Sequence, residues 1–448
     1  MMRSILCAFA VLLMLAYSSP APAQDRGGLD PRIAQTLDPR ITRLLEQISE
    51  ERLAASVERL ASYGTRNTMS SVHRPDWGIG AAREWIRSEM QGYSPRLQVS
   101  FDSYVTPARG RIPTETELRN VMAILPGRSE RRIYVSGHYD TVAQAEQQLT
   151  AGNRFDNPAP GANDDGSGTA LTMELARVFA QSDIDFDATL VFIALAGEEQ
   201  GLVGARLHAQ RAREEAMRID AVFNNDIVGN IHGGNGAVDG WTVRVFSEGP
   251  EDSPSRQLAR FIHRTAALYV PGHKVRLIAR DDRFGRGGDH TSFNQLGYTA
   301  VRFTEAKENY DRQHTVRDTP DGVHPPYLAR NARVNAAGVA TLALAPPAPT
   351  VAEGGNPMLG RQPSGYDARL RWEASPGAIG YRIFWREAWG VDWQHELYVG
   401  DVTNFVLREI SIDDYIFGVA AVGPGGHESL VSAYVRPPRA SQTLEVIR

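Results

Sequence analysis

Residues 190–199 read LVFIALAGEE. Six consecutive apolar residues suit a strand buried on both faces of a sheet, and two acids stand just beyond its carboxyl end. Two other runs repeat the arrangement. IYVS at 133–136 leads into Gly137, His138, Tyr139 and Asp140, and AVFN at 221–224 leads into Asn225 and Asp226. In open α/β sheets, ligands bind beyond the carboxyl ends of the strands. A charged residue at one strand end is ordinarily a solvated loop group. Three strands delivering acids and a histidine to the same end mark a site.

Outward from these strands, apolar residues recur at helical spacing. Ile41, Leu44, Leu45, Ile48, Leu53, Val57 and Leu60 do so, and the pattern returns over 81–90, 169–179, 204–213, 253–269 and 327–344. Residues 97–104, 120–125 and 300–303 read as further strands. Strands alternating with helices predict an α/β domain with a mainly parallel sheet, here assigned to 24–345. Residues 346–349, PPAP, read as a semi-rigid linker. Beyond it, 350–448 shows short alternating runs separated by turns, the pattern of an all-β sandwich. Within it, Trp389 and Trp393 lie in a loop-like stretch. They are read either as folding back on their own sheet or as a contact patch for cell-wall material, a substrate protein or the catalytic domain.

The chain has 448 residues, 42% hydrophobic and 23% charged, with a formal charge of -5. That composition excludes global disorder, and the acidic balance excludes nucleic acid as the main partner. The single cysteine, Cys7, excludes a disulfide framework and any cysteine-cluster metal site. Arg3 precedes an apolar run over 5–17, and Ala21, Pro22 and Ala23 follow. Residues 1–23 therefore read as a cleavable signal peptide, too short for a stable membrane anchor, and the mature protein as periplasmic or secreted.

Between the first two strand ends lies PGANDDGSG at 160–168, a glycine-rich turn opening a helix. Two aspartates and no lysine would repel phosphate, and carboxylates beside a histidine favour a divalent cation. Asp165 reads as the cap of that helix. QHTVRDT at 313–319 adds a histidine, and GRGGDHTSF at 285–293 adds Arg286, Asp289 and His290.

The ordered series His-x-Asp at 138–140, GANDDGSG, Gly-Glu-Glu at 197–199, Asn-Asp at 225–226 and His-Thr at 314–315 resembles the M28 metallopeptidases, the co-catalytic zinc aminopeptidases. The resemblance spans about residues 97–344, and no motif position is lost. It implies a phosphorylase/hydrolase-like fold, a mixed eight-stranded sheet between helices. It also implies that His138 and Asp226 bind one zinc, that Glu199 and His314 bind the other, and that Asp164 bridges both. Glu198 would be the general base, and Asp140 would orient His138. Asp289 and His290 resemble the family's Asp-His segment beside the active site, with His290 either contacting substrate or hydrogen-bonding behind the ligands, and Arg286 could bind a substrate carbonyl or carboxylate.

Each metal would then receive one imidazole, one carboxylate and a share of a second, and the pair would hold a water between them. Nitrogen and oxygen ligands fit zinc, with manganese or cobalt as substitutes. The expected reaction is hydrolysis of N-terminal residues from peptides. The alternatives are a zinc-dependent glutaminyl cyclase on the same scaffold, working with one zinc, and an inactive binding or receptor protein. The last quarter of the chain resembles a fibronectin type III module, with Trp372, Tyr381 and YIFGVAAVGPGGHES at 415–429 carrying the likeness.

Overall fold

The computed structural model describes residues 37–143, 154–363 and 365–435. The proposed signal peptide lies outside them. Helices α1 (Pro39–Glu46), α2 (Glu50–Ala61) and α3 (Gly78–Tyr93) come first. They are followed by β1 (Gln98–Thr106), β2 (Thr116–Leu125) and β3 (Arg132–His138). Then come α4 (Gly166–Gln181), β4 (Thr189–Leu195), α5 (Val203–Glu214), β5 (Ile219–Asn225) and β6 (Thr242–Ser247). Helix α6 (Pro254–Tyr269), β7 (Lys274–Ile278), α7 (Asp289–Asn294), β8 (Ala300–Glu305) and α8 (Pro325–Leu344) complete this part.

The eight strands form one sheet in the order β1-β2-β4-β3-β5-β8-β6-β7. Its centre, β4-β3-β5-β8, is parallel, and β1, β2 and the β6–β8 pairing are antiparallel. The mixed sheet expected from the sequence is present. Strand β4 shows how it is buried, because alternate residues face opposite layers. Leu190, Phe192 and Ala194 join the core under α2, α4, α6 and α8, whereas Val191, Ile193 and Leu195 join a second core with Ala205 and Ala209 of α5 and Phe293 of α7.

From β3 the chain crosses to β4 on one side and then to β5 on the other. That reversal is the topological switch point at which such sheets open a crevice. His138 ends β3, Glu198 and Glu199 follow β4, and Asp226 follows β5. Asp165 caps α4, as expected, accepting from the Gly168 N–H at 2.8 Å. Strands β6 and β7 had not been assigned from the sequence.

The C-terminal region is rich in β-structure. A three-stranded sheet joins β11 (Leu359–Arg361), β12 (Ala368–Arg371) and β15 (Asn404–Leu407). A four-stranded sheet joins β14 (His395–Gly400), β13 (Gly380–Glu387), β16 (Tyr415–Val422) and β17 (Ser432–Ala433), and a short β9–β10 hairpin (Ala352–Glu353, Asn356–Pro357) precedes both. Trp372, Tyr381 and Phe417 sit in their common core. The proline segment is packed and not a free spacer: a Cβ on Gly423 would lie 3.0 Å from Pro346, and Ser432 Oγ donates to the Pro349 carbonyl at 2.5 Å. Trp389 is exposed. Trp393 instead packs against Phe384 of β13 and donates from Nε1 to Gln257 of α6 at 3.2 Å.

Candidate metal centre

The end of β3 can carry a site because α4 approaches it with no side chain in between. A Cβ on Gly137 would lie 2.5 Å from the Gly168 carbonyl carbon, so only glycine allows this contact. The Asp165 carboxylate fills the junction, accepting from the backbone N–H groups of His138 at 3.0 Å, Gly168 at 2.8 Å and Ile227 at 3.2 Å. It thereby ties together the loops that supply His138, Asp164 and Asp226. The Asp164–Asp165 peptide is cis.

Asp164 occupies the middle of the site. Its Oδ1 lies 3.3 Å from His138 Nε2, and its Oδ2 lies 2.9 Å from His314 Nε2. On one side, Asp226 Oδ1 and Glu198 Oε2 are 3.8 and 4.0 Å from His138 Nε2. On the other, Glu199 Oε1 is 3.3 Å from His314 Nε2. Two donor groups result, His138–Glu198–Asp226 and Asp164–Glu199–His314, and within each the donor atoms all lie within 4.8 Å of one another. Ligands about 2.0–2.1 Å from a tetrahedral ion stand about 3.4 Å apart, so these spacings fit one cation in each group.

The hydrogen bonding fits as well. Asp164 Oδ2 and Glu199 Oε1 are buried and without hydrogen-bond partners among the described residues, although both face His314 Nε2. A cation would satisfy both oxygens. His138 Nδ1 lies 3.1 Å from the Asp140 carbonyl oxygen, an atom that only accepts, so Nδ1 carries a hydrogen and Nε2 is the nitrogen left to meet a cation.

Asp140 differs from expectation in detail. Its backbone carbonyl, not its carboxylate at 3.7 Å, is the nearer partner of His138 Nδ1. The carboxylate instead accepts the backbone N–H groups of Glu198 and Glu199, each at 3.1 Å. That grip fixes the turn on which the two glutamates diverge.

Charge dominates the site. Burial raises Glu198 well above the usual carboxylate range, and Asp226, Glu199 and Asp289 add to the effect against His138. Burial would also raise Asp164, but His314 and His138 outweigh it and hold it well below. Burial would lower His314, yet Glu199 and Asp164 push it up to about 11. These imidazoles hold protons in the place a cation would take, so metal binding here would release protons.

Asp289 is buried, and neither of its oxygens has a hydrogen-bond partner among the described residues. Burial, with Asp140 and Asp226 nearby, pushes it up to about 8. His290 is fully buried, with Nε2 2.7 Å from the Asp281 carbonyl, so it braces the β7–α7 loop from within. Arg286 donates to Gln313 Oε1 at 3.0 Å, beside His314.

Three groups at the site had escaped the sequence reading. Arg302 on β8 pairs with Asp226 at 2.9 Å and Asp282 at 2.8 Å. The Asp318 carboxylate accepts the N–H groups of Asn163 at 3.0 Å and Asp164 at 2.9 Å. Arg66 reaches the same turn through the Pro160 and Gly161 carbonyls. Arg66 and Arg302 sit in no local motif, and Asp318, although it lies within QHTVRDT four residues after His314, is legible only as a partner across the fold.

Residues 120–339 match the model of "Peptidase family M28". A "probable zinc metalloprotease" of Pyricularia oryzae is 39% identical over 437 residues, covering 88% of this chain and 84% of that one. Another of that description, from Leptosphaeria maculans, is 38% identical over 424 residues, covering 87% and 95%. Among solved structures, the Legionella pneumophila LapA aminopeptidase matches with a TM-score of 0.54 at 21% identity, over 70% of this chain and 79% of that one. A Porphyromonas gingivalis glutaminyl cyclase matches with a TM-score of 0.52 at 18% identity, over 65% and 98%. At these identities the two structures speak for the fold. The family model's span contains every candidate ligand, and the fungal relatives match over nearly nine tenths of the chain: it belongs to peptidase family M28.

Proposed function

We propose that this chain is an exported aminopeptidase that works with two zinc ions and removes N-terminal residues from peptides. The observation that carries the reading is the placement of Asp164, with one carboxylate oxygen toward His138 and the other toward His314. His138 and Asp226 would hold one ion, Glu199 and His314 the other, and Asp164 would serve both. When bound, the ions would polarise the scissile carbonyl and make a water nucleophilic at neutral pH.

The remaining work falls to the chain. The Asp140 carbonyl takes the Nδ1–H of His138, so that Nε2 is the nitrogen turned to the ion. The Asp140 carboxylate holds Glu198 apart from Glu199. Glu198 and His314 are the more open members of the site, their side chains 13% and 27% exposed, so substrate approaches from their side. Glu198 takes the proton of the attacking water and passes it to the leaving amine. Asp289, His290 and Arg286 line or brace the approach.

Zinc is supported by the description of the fungal relatives, and the aminopeptidase assignment by that of the Legionella enzyme. Export rests on the sequence pattern of 1–23. No helix among the described residues is long and apolar enough to cross a membrane. We read 24–345 as the catalytic domain, 346–349 as a linker and 350–448 as a fibronectin type III-like accessory, with exposed Trp389 as its candidate contact for surface or cell-wall material.

The test is metal analysis of the purified protein together with a panel of aminoacyl amides and N-blocked peptides, with and without chelator. Two zinc ions per chain and chelator-sensitive cleavage of free-amine substrates alone are expected. One ion with cyclisation of N-terminal glutamine would move the assignment to a cyclase. Cleavage that survives chelation would overturn the metal reading.

A further inference from the structure

We infer that Arg66 is the positioning residue for the bridging ligand, a buried guanidinium that sets the spacing between the loops supplying His138 and Asp164. The inference rests on the two-metal reading of the site. Arg66 lies in the connection between α2 and α3, outside the family model's span of 120–339. Its side chain is fully buried. Nε donates to the Tyr139 carbonyl at 2.7 Å, Nη1 to the Pro160 carbonyl at 2.5 Å and Nη2 to the Gly161 carbonyl at 2.8 Å. Tyr139 stands between His138 and Asp140, and Gly161 opens the turn that carries Asp164.

The main chain reinforces the clamp. The Arg66 N–H donates to Thr141 Oγ1 at 2.9 Å, and the Thr141 N–H donates back to the Arg66 carbonyl at 3.2 Å. Thr141 Oγ1 donates to the Ala159 carbonyl at 2.8 Å, and Thr65 forms a bridge with Ala159. Asp318 in turn accepts the N–H groups of Asn163 and Asp164. The turn is therefore held by its carbonyls from Arg66 and by its amides from Asp318.

A guanidinium can serve three carbonyls in one plane, and a lysine ammonium on its single stem cannot reproduce that fork. The charge matters as well, because Asp140, Asp164, Asp165 and Asp318 surround it. Arg66 offsets part of their mutual repulsion while the ligands are assembled.

The experiment is a zinc competition titration against a chromogenic chelator, with thermal melts run alongside. The variants are Arg66→Met, Arg66→Lys, the milder Thr141→Val, and Arg131→Met as a control. Arg131 is a buried arginine at the other end of the sheet, bonded to Asp187, Asp220 and the Ala345 carbonyl. Both Arg66 variants should weaken both zinc-binding steps by about ten-fold or more, since both steps use Asp164. Thr141→Val should weaken them by about three-fold, and Arg131→Met should lower the melting temperature and leave zinc affinity within about two-fold of wild type. Should Arg66→Met fail to fold, Arg66→Lys and Thr141→Val decide. Wild-type zinc affinity in both of those, or an equal loss in the Arg131 control, overturns the positioning role. A wild-type protein that binds no zinc would instead overturn the metal site itself.

Discussion

Glu198 and Glu199 are neighbours in sequence with opposite tasks, and one carboxylate separates them. By accepting both of their N–H groups, Asp140 fixes the turn that sends Glu199 to His314 and leaves Glu198 beside His138 at the more open side. Glu198→Gln preserves shape and removes the proton acceptor. It should bind metal as the parent does and lose about 10³-fold in kcat, near the middle of the range for a positioned general base. A variant with unchanged metal content and more than a tenth of parental turnover would remove Glu198 from the base role. The candidate ligands themselves were legible in the sequence because strand ends announce them. Arg66 and Arg302 were not, since an arginine whose partners lie far along the chain leaves no local pattern, and Asp318, though inside the 313–319 motif, serves amides 154 and 155 residues away.

The elements obey simple patterns where burial is symmetric and depart from them at the sheet margin. β4 is covered on both faces and reads as an unbroken apolar run. β6, TVRVFS, and β7, KVRLI, lie toward one edge, and each carries an arginine that breaks the apolar run. A five-residue edge strand such as β7, alternating charged and apolar residues with its charged side exposed, is too short to stand out from a loop. The β3–α4 contact is the element-scale feature on which the site depends. Gly137→Ala would drive a methyl group into the Gly168 backbone, which cannot swing aside as a side chain can. The expected cost is about 1–3 kcal/mol in denaturant unfolding, with a matching loss of zinc affinity as His138 is displaced from Asp164. Unchanged stability and affinity would mean that helix and strand can part without consequence.

His273, just before β7, gives a second element-scale test. Its Nε2 lies 2.7 Å from Asn331 Oδ1 of α8, and burial lowers it from 6.5 to about 4. The folded state keeps this ring neutral while the unfolded chain can protonate it. Its contribution is therefore fully present above pH 6.5 and is lost as the pH falls toward 4, by about 1 kcal/mol per unit. His273→Gln keeps a hydrogen-bonding side chain and removes the titration. It should flatten the fall in urea midpoint between pH 6.5 and 4.5 relative to the parent, and an identical slope in the two proteins would exclude His273 as a source.

At the scale of the whole molecule, the C-terminal region is docked on α6 and the N-terminal segment, away from the metal ligands. Arg386 of β13 grips Asp252 through both carboxylate oxygens at 2.7 and 2.8 Å. Arg260 of α6 donates to the Val391 carbonyl at 2.9 Å, and His427 pairs with Asp38 at 3.1 Å. The candidate ligands stand at the carboxyl ends of β3, β4 and β5, whereas Arg131, Arg218 and Asp220, at their amino ends, line the cavity of about 420 Å³ shared with the C-terminal region. The β-rich character of this region was legible in its alternating runs. Its attachment was not, because the arginines and acids that make it look like ordinary surface charge along the chain. Truncation near Pro346 should leave cleavage of a small amide within a few-fold of the full chain. The cut surface rehydrates Asp252 and Arg260, so the loss is mainly the packing of Trp393 and Leu430. Arg386→Met in the full chain is the harsher test per contact, since it leaves the Asp252 carboxylate, 8% exposed, with Arg260 as its remaining ion pair among the described residues. We expect a loss of about 2–4 kcal/mol and unchanged kcat on a small amide. An unchanged melting temperature would show that the charged junction adds nothing to the fold. A folded, zinc-loaded truncation without activity would place part of the C-terminal region in the active site, against the separation of sheet ends described above.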